Sequence, residues 1–90
     1  MTAYTLHISP AALQELHDLD RPVCQRLIKK IRWLATNAAT IRPDMLKGDL
    51  SGLFKLREGS YRIIYQRIEE KHIILIHAVG NRRDIYRKPR

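Results

Sequence analysis

Polar and apolar residues alternate over Tyr4-Thr5-Leu6-His7-Ile8, the two-residue period of a strand with one buried face. Ser9 followed by Pro10 fits a helix cap and first helical position, and Leu13, Leu16 and His17 then share one side of a short helix reaching about Asp18. A second helix starts at once. Asp20 can cap it, Pro22 suits its first turn, and Val23, Leu27, Ile31 and Leu34 recur at helical spacing to about Asn37, leaving Lys29, Lys30 and Arg32 on the wet side. From Ala38 to Gly52 the periodicity is lost among Thr40, Pro43, Asp44, Gly48 and Asp49, which predicts a long ordered loop. Period two returns at Leu53 to Arg57. Glu58-Gly59-Ser60 then reads as a tight turn and Tyr61 to Ile68 as the hairpin partner. A turn at Glu69-Glu70-Lys71 leads into His72 to Val79, apolar at nearly every position, as in a strand covered on both faces. The expected fold class is α+β: an N-terminal strand, then two helices packed on one face of an antiparallel sheet that a three-stranded C-terminal meander completes. Ninety residues suit one domain spanning the chain.

Strand parity sorts the chemistry by face. Leu53, Lys55 and Arg57 project to one side and Phe54 and Leu56 to the other, while Arg62, Ile64 and Gln66 stand opposite Ile63, Tyr65 and Arg67. The short turn brings Arg57 near Arg62, so three cations are expected together on the sheet face away from the helices. For any one of them a solvated surface position is the commoner explanation; their concentration is what changes the picture, because like charges on adjacent strands repel. By the same parity His77 falls with Ile73, Leu75 and Val79 as a packed residue. After Val79-Gly80-Asn81 a sharp turn is expected, followed by Arg82-Arg83-Asp84-Ile85-Tyr86-Arg87, which reads either as a basic tail or as a group held at a strand end.

Composition supports a polyanionic partner. The net charge is +8, and residues 53 to 90 carry ten Lys or Arg against four acids. A single cysteine, Cys24, excludes an internal disulfide, and His7, His17 and His72 lack metal-site spacing. Neither a charged-then-apolar leader nor an apolar run of about 18 residues is present, so a cytoplasmic protein without a membrane partner is expected.

Leu46-Lys47-Gly48, Leu53-Phe54-Lys55-Leu56-Arg57, Tyr61-Arg62-Ile63-Ile64-Tyr65 and Val79-Gly80-Asn81-Arg82-Arg83-Asp84-Ile85-Tyr86-Arg87, in that order and spacing, resemble the RelE/ParE toxin superfamily over nearly the whole chain. The resemblance implies a RelE-like toxin of a toxin–antitoxin pair, an endoribonuclease that cuts messenger RNA in the ribosomal A site without metal or other cofactor. It gives Lys55 the place of the lysine that serves or assists as base on the ribose 2′-hydroxyl, and Arg62 that of the arginine on the scissile phosphate. Arg82 matches the arginine at the leaving group, and Tyr86 the aromatic that stacks on the substrate. Arg57, Arg83, Lys47 and Arg87 are further candidates for binding the RNA. The partners implied are a cognate antitoxin, messenger RNA and the ribosome, with the second helix and the exposed sheet edge as candidate docking surfaces for the antitoxin.

The chain departs from the pattern at Leu53, where well-known RelE-type enzymes place a second strand lysine. One phosphate contact is therefore missing or has moved to Arg57 or Lys47. Asn81 stands where some relatives carry a histidine. Two other readings stay open on the sequence: a ParE-like toxin that poisons DNA gyrase without cutting nucleic acid, and an inactive RNA-binding relative.

Overall fold

The computed structural model describes residues 4–41, 44–45, 52–81 and 83. Its elements are β1 (Thr5–Ile8), α1 (Pro10–His17), α2 (Arg21–Asn37), β2 (Asp44–Met45), β3 (Phe54–Glu58), β4 (Tyr61–Ile68), a 3-10 turn (Glu69–Lys71) and β5 (Ile73–Asn81). The five strands form one sheet in the order β1-β5-β4-β3-β2.

This is the α+β arrangement expected, with three additions. The sheet is antiparallel except at β1, which runs parallel to β5 with Thr5 opposite Ile73 and Ile8 opposite Ile76. Among the described residues two helices and three strands separate β1 from β5 along the chain, which is ample length for β5 to come back beside β1 in the same direction. Second, part of the expected loop is a two-residue strand, β2, paired antiparallel to β3. Third, β5 continues through Gly80 to Asn81, so Gly80 lies in the strand opposite Arg62 and makes no sharp turn. The turn comes after Asn81, whose side-chain Oδ1 accepts the Arg83 N–H at 3.0 Å. That is the local bond by which Asn favours turns.

The helix starts follow their sequence signals unequally. Ser9 Oγ accepts the Ala12 N–H at 3.1 Å and Pro10 occupies the first turn. Asp20 takes the capping position of α2 without a side-chain cap bond. Leu27, Ile31 and Leu34 are fully buried, as their spacing predicts, each worth roughly 1.5–3 kcal/mol of burial. In α1 the inward residues are Ala12 and Leu16, whereas Leu13 and His17 are exposed. The helices cover Ile63, Tyr65, Ile74, Ile76 and Val79 on the sheet, with Phe54 and Leu56 packed at the margin.

Two joints hold the ends of this core. At one, the Tyr4 hydroxyl donates to the Glu69 carboxylate at 3.1 and 3.2 Å, Glu69 pairs with Arg67, and Arg67 donates to the Ala38 carbonyl at 3.0 Å. At the other, Arg26 of α2 meets Glu58 at 3.4 Å beside the β3–β4 turn. Gly59 in that turn has φ +62°, the backbone that a two-residue hairpin with glycine first requires.

Candidate functional site

The site is assembled on the sheet face away from the helices. Register places Arg57 directly opposite Arg62, with Gly80 beyond it on β5. The next row is Asp44, Lys55, Ile64 and Ala78. Successive rows on one face are about 7 Å apart and neighbouring strands about 4.8 Å, so Lys55, Arg57 and Arg62 share a patch a few residues wide. The parity expected for these residues holds.

Their surroundings differ from those of the other cations. On the helix side and at the sheet margin, Arg26 has Glu58 and Arg67 has Glu69. Among the described residues neither the Lys55 nor the Arg57 side chain has an ion-pair or hydrogen-bond partner. Arg62 turns back on its hairpin, where Nη1 donates to the Gly59 carbonyl at 3.1 Å and to the Tyr61 carbonyl at 2.9 Å. Those bonds fix the guanidinium without neutralising it and leave Nη2 and Nε as donors. Lys55 is half-buried, its row floored by Ile64 and Ala78, each 1% exposed, with Leu53 packed against them. Asp44 of β2 stands in register opposite Lys55, while Arg57 and Arg62 face each other, so three cations and one acid share this stretch of the face, a net positive charge suited to an anion with spaced oxygens such as a phosphodiester.

Of the remaining candidates, Arg83 is exposed in the turn after β5, at the end of the sheet where Arg62 lies. Lys47, Arg82, Tyr86 and Arg87 lie outside the described residues. No group of three His, Cys, Asp or Glu able to hold a metal ion occurs among the described residues.

One feature of this face departs from the parity reading. Ile64 pairs with Ala78 but Tyr65 pairs with Ile76, so His77 is an extra residue in β5, a β-bulge. The bulge resets the alternation, sending Val79 into the core while His77 keeps to the outer face and donates from Nε2 to Gln66 Oε1 at 3.1 Å. His77 is thus half-buried on the sheet face of Lys55 and is separated from Val79. The only sequence signal was an imidazole in the run Ile73-Ile74-Leu75-Ile76-His77-Ala78, apolar on both parities and therefore silent about where it skips.

Clefts lie elsewhere among the described residues. One of about 510 Å³, lined by Leu6, Ile8, Leu13, Cys24 and Ile28 among others, runs between α1, α2 and the free edge of β1, with Arg32 and His17 at its margin. A smaller one of about 370 Å³ sits between the end of α1 and β5, where Glu15 and Asp18 face Gly80 and Asn81. No described helix is long and apolar enough to cross a membrane.

Comparison with known proteins places this arrangement. Residues 6–86 match the family model of the ParE toxin of the type II toxin–antitoxin system parDE. The chain is 33% identical to the mRNA interferase toxin RelE of Escherichia coli K12 over 86 residues, which span 89% of this chain and 84% of that protein. It is 29% identical to Toxin RelG of Mycobacterium tuberculosis over 89 residues, 94% of this chain and 98% of that one. In the crystal structure of the toxin–antitoxin complex RelBE2 from M. tuberculosis, one chain superimposes with a TM-score of 0.82 at 26% identity, covering 93% of this chain and 97% of its own length.

Proposed function

Because this chain belongs to the RelE/ParE toxin superfamily, we propose that it is a RelE-type mRNA interferase, a metal-independent endoribonuclease that inhibits translation by cutting messages on the ribosome. The observation that supports the reading is the patch of Lys55, Arg57 and Arg62 on adjacent strands, where Asp44 of β2 stands in register opposite Lys55 and the Arg57–Arg62 pair has no acid opposite it. RNA brings its own nucleophile, so alignment, one proton transfer and charge stabilisation suffice for cleavage. Lys55 takes the proton of the ribose 2′-hydroxyl as its oxygen bonds to phosphorus. The bond to the 5′-oxygen breaks, that oxygen takes a proton from solvent while Arg82 stabilises its developing charge, and Lys55 releases its proton to solvent to complete the cycle. The products are a 2′,3′-cyclic phosphate and a 5′-hydroxyl. Arg62, through Nη2 and Nε, and Arg57 neutralise the equatorial oxygens, and Tyr86 stacks on the substrate. Arg83, Lys47 and Arg87 extend the contact along the strand.

A cognate antitoxin is the second partner, as in the RelBE2 complex of M. tuberculosis. It docks in the apolar cleft between α1, α2 and β1, whose basic margin of Arg32, with Lys29 alongside, suits an acidic amphipathic segment.

The matched family model is named for ParE, which favours a second reading, a gyrase poison without nuclease activity. Primer extension on messages after induction, with gyrase-linked DNA breaks assayed alongside, separates the two. New message ends inside translated codons are the expected result; DNA breaks with intact messages would select the second reading.

A further inference from the structure

The outer face of the sheet changes character along its strands. Toward the hairpin turn it is cationic. One row past Lys55, about 7 Å along the strands, Leu53, Gln66, Leu75 and His77 stand half-buried beside the closed floor of Ile64 and Ala78. Leu75 faces Gln66 directly, and Leu53 precedes Phe54, the partner of Tyr65. His77 joins this row only because the bulge inserts it. Bulges commonly re-aim a side chain beside a functional site.

The His77–Gln66 bond orients the amide. With Oε1 accepting from the imidazole at 3.1 Å, the Gln66 –NH2 is left as a pair of donors with no partner among the described residues. A directed amide beside aliphatic and imidazole surfaces suits a nucleobase: the flat surfaces support its ring and the donors meet a carbonyl on its edge. A nucleotide joins phosphate to base over a span similar to one row of the sheet.

We propose that Leu53, Gln66, Leu75 and His77 form a base-recognition subsite next to the phosphate patch. Gln66 reads a carbonyl-bearing base (guanine, uracil or cytosine) in preference to adenine, and His77 is the positioning residue that holds its amide. The proposal rests on RNA being the ligand of the cationic patch, and needs no cleavage.

The test is binding of short RNAs that differ at one position, measured by fluorescence anisotropy at low salt with the wild-type protein, Gln66→Leu, His77→Phe and Arg62→Ala. Circular dichroism checks that each variant is folded. Wild type should bind the carbonyl-bearing bases about 2- to 12-fold more tightly than adenine at that position, the worth of one net hydrogen bond. Gln66→Leu should level the four bases and His77→Phe should reduce the preference, while Arg62→Ala weakens all RNAs alike and keeps the ranking. Preference surviving in Gln66→Leu, an equal loss for every base, or a wild type indifferent to base or unable to bind RNA would each overturn the subsite. Cleavage of messages is scored separately by primer extension. Base preference without cleavage would sink the nuclease reading and leave the subsite standing.

Discussion

At the scale of single residues, Lys55 and Tyr4 show how surroundings decide what a group can do. Lys55 offers the site a positive charge as the ammonium or a base as the free amine, and two substitutions separate the two roles. Lys55→Ala is expected to slow single-turnover RNA cleavage by roughly 10²–10⁴, the usual contribution of a general acid or base. Lys55→Arg keeps the charge but cannot act as a base near neutrality. It should therefore be nearly as slow while binding RNA as wild type does; cleavage restored by Arg would show that charge alone was needed. Tyr4 is buried and its hydroxyl donates to Glu69. Burial first, then the Glu69 bond and charge, raise its pKa above the ordinary value near 10, against a smaller opposing effect of Arg67. A raised folded-state pKa means that its stabilisation is complete below about pH 10 and is lost as pH climbs through the folded value. Thermal melts from pH 8 to 11 should show stability falling toward the alkaline end, and less steeply in Tyr4→Phe. Identical slopes would remove Tyr4 from the effect.

At the scale of elements, β1 ends opposite Ile76, so the edge of β5 away from β4 has no described strand beyond that point, and Ser9 with α1 supplies partners there. Ser9 N–H bonds to the Ile76 carbonyl at 2.9 Å and its Oγ to the His77 carbonyl at 3.2 Å. One step further, Glu15 Oε1 accepts the Val79 N–H at 2.8 Å. Val79 is 1% exposed, so water cannot readily replace that acceptor. Glu15→Ala is expected to cost about 1–3 kcal/mol in urea unfolding, the penalty of an unpaired buried donor, and Glu15→Gln much less because its amide oxygen can still accept. Equal losses in the two would assign the effect to charge. These joints also mark where the sequence stopped being legible. The pairing of Arg57 with Arg62 was readable because β3 and β4 alternate cleanly and their turn is short. The bulge at His77 was not, since β5 is apolar on both faces and a skipped residue leaves no trace in its pattern. In α1 the bulky Leu13 drew the prediction, but the helix lies against the sheet through Ala12, which is fully buried while Leu13 is 57% exposed. The roles of Arg82 and Tyr86 rest on resemblance, because periodicity says nothing about a residue beyond the last strand.

At the scale of the whole molecule, the sheet separates two surfaces. The cationic patch lies on one side, and the apolar cleft of α1, α2 and β1 lies on the other. A partner docked in the cleft is therefore held by contacts that the proposed nuclease chemistry does not use, and the two functions should come apart by mutation. Leu13 is the residue to change, since it lines the cleft yet is largely exposed, so a polar replacement costs the fold little. Leu13→Asp puts a carboxylate where an acidic amphipathic segment would press its apolar side. Its affinity for the antitoxin, measured by calorimetry, should fall at least about tenfold, or roughly 1.4 kcal/mol. Message cleavage should stay at the wild-type level, so co-expressed antitoxin would no longer restore growth. Unchanged affinity would move the antitoxin off the cleft, and cleavage lost together with affinity would mean that the two faces are not independent.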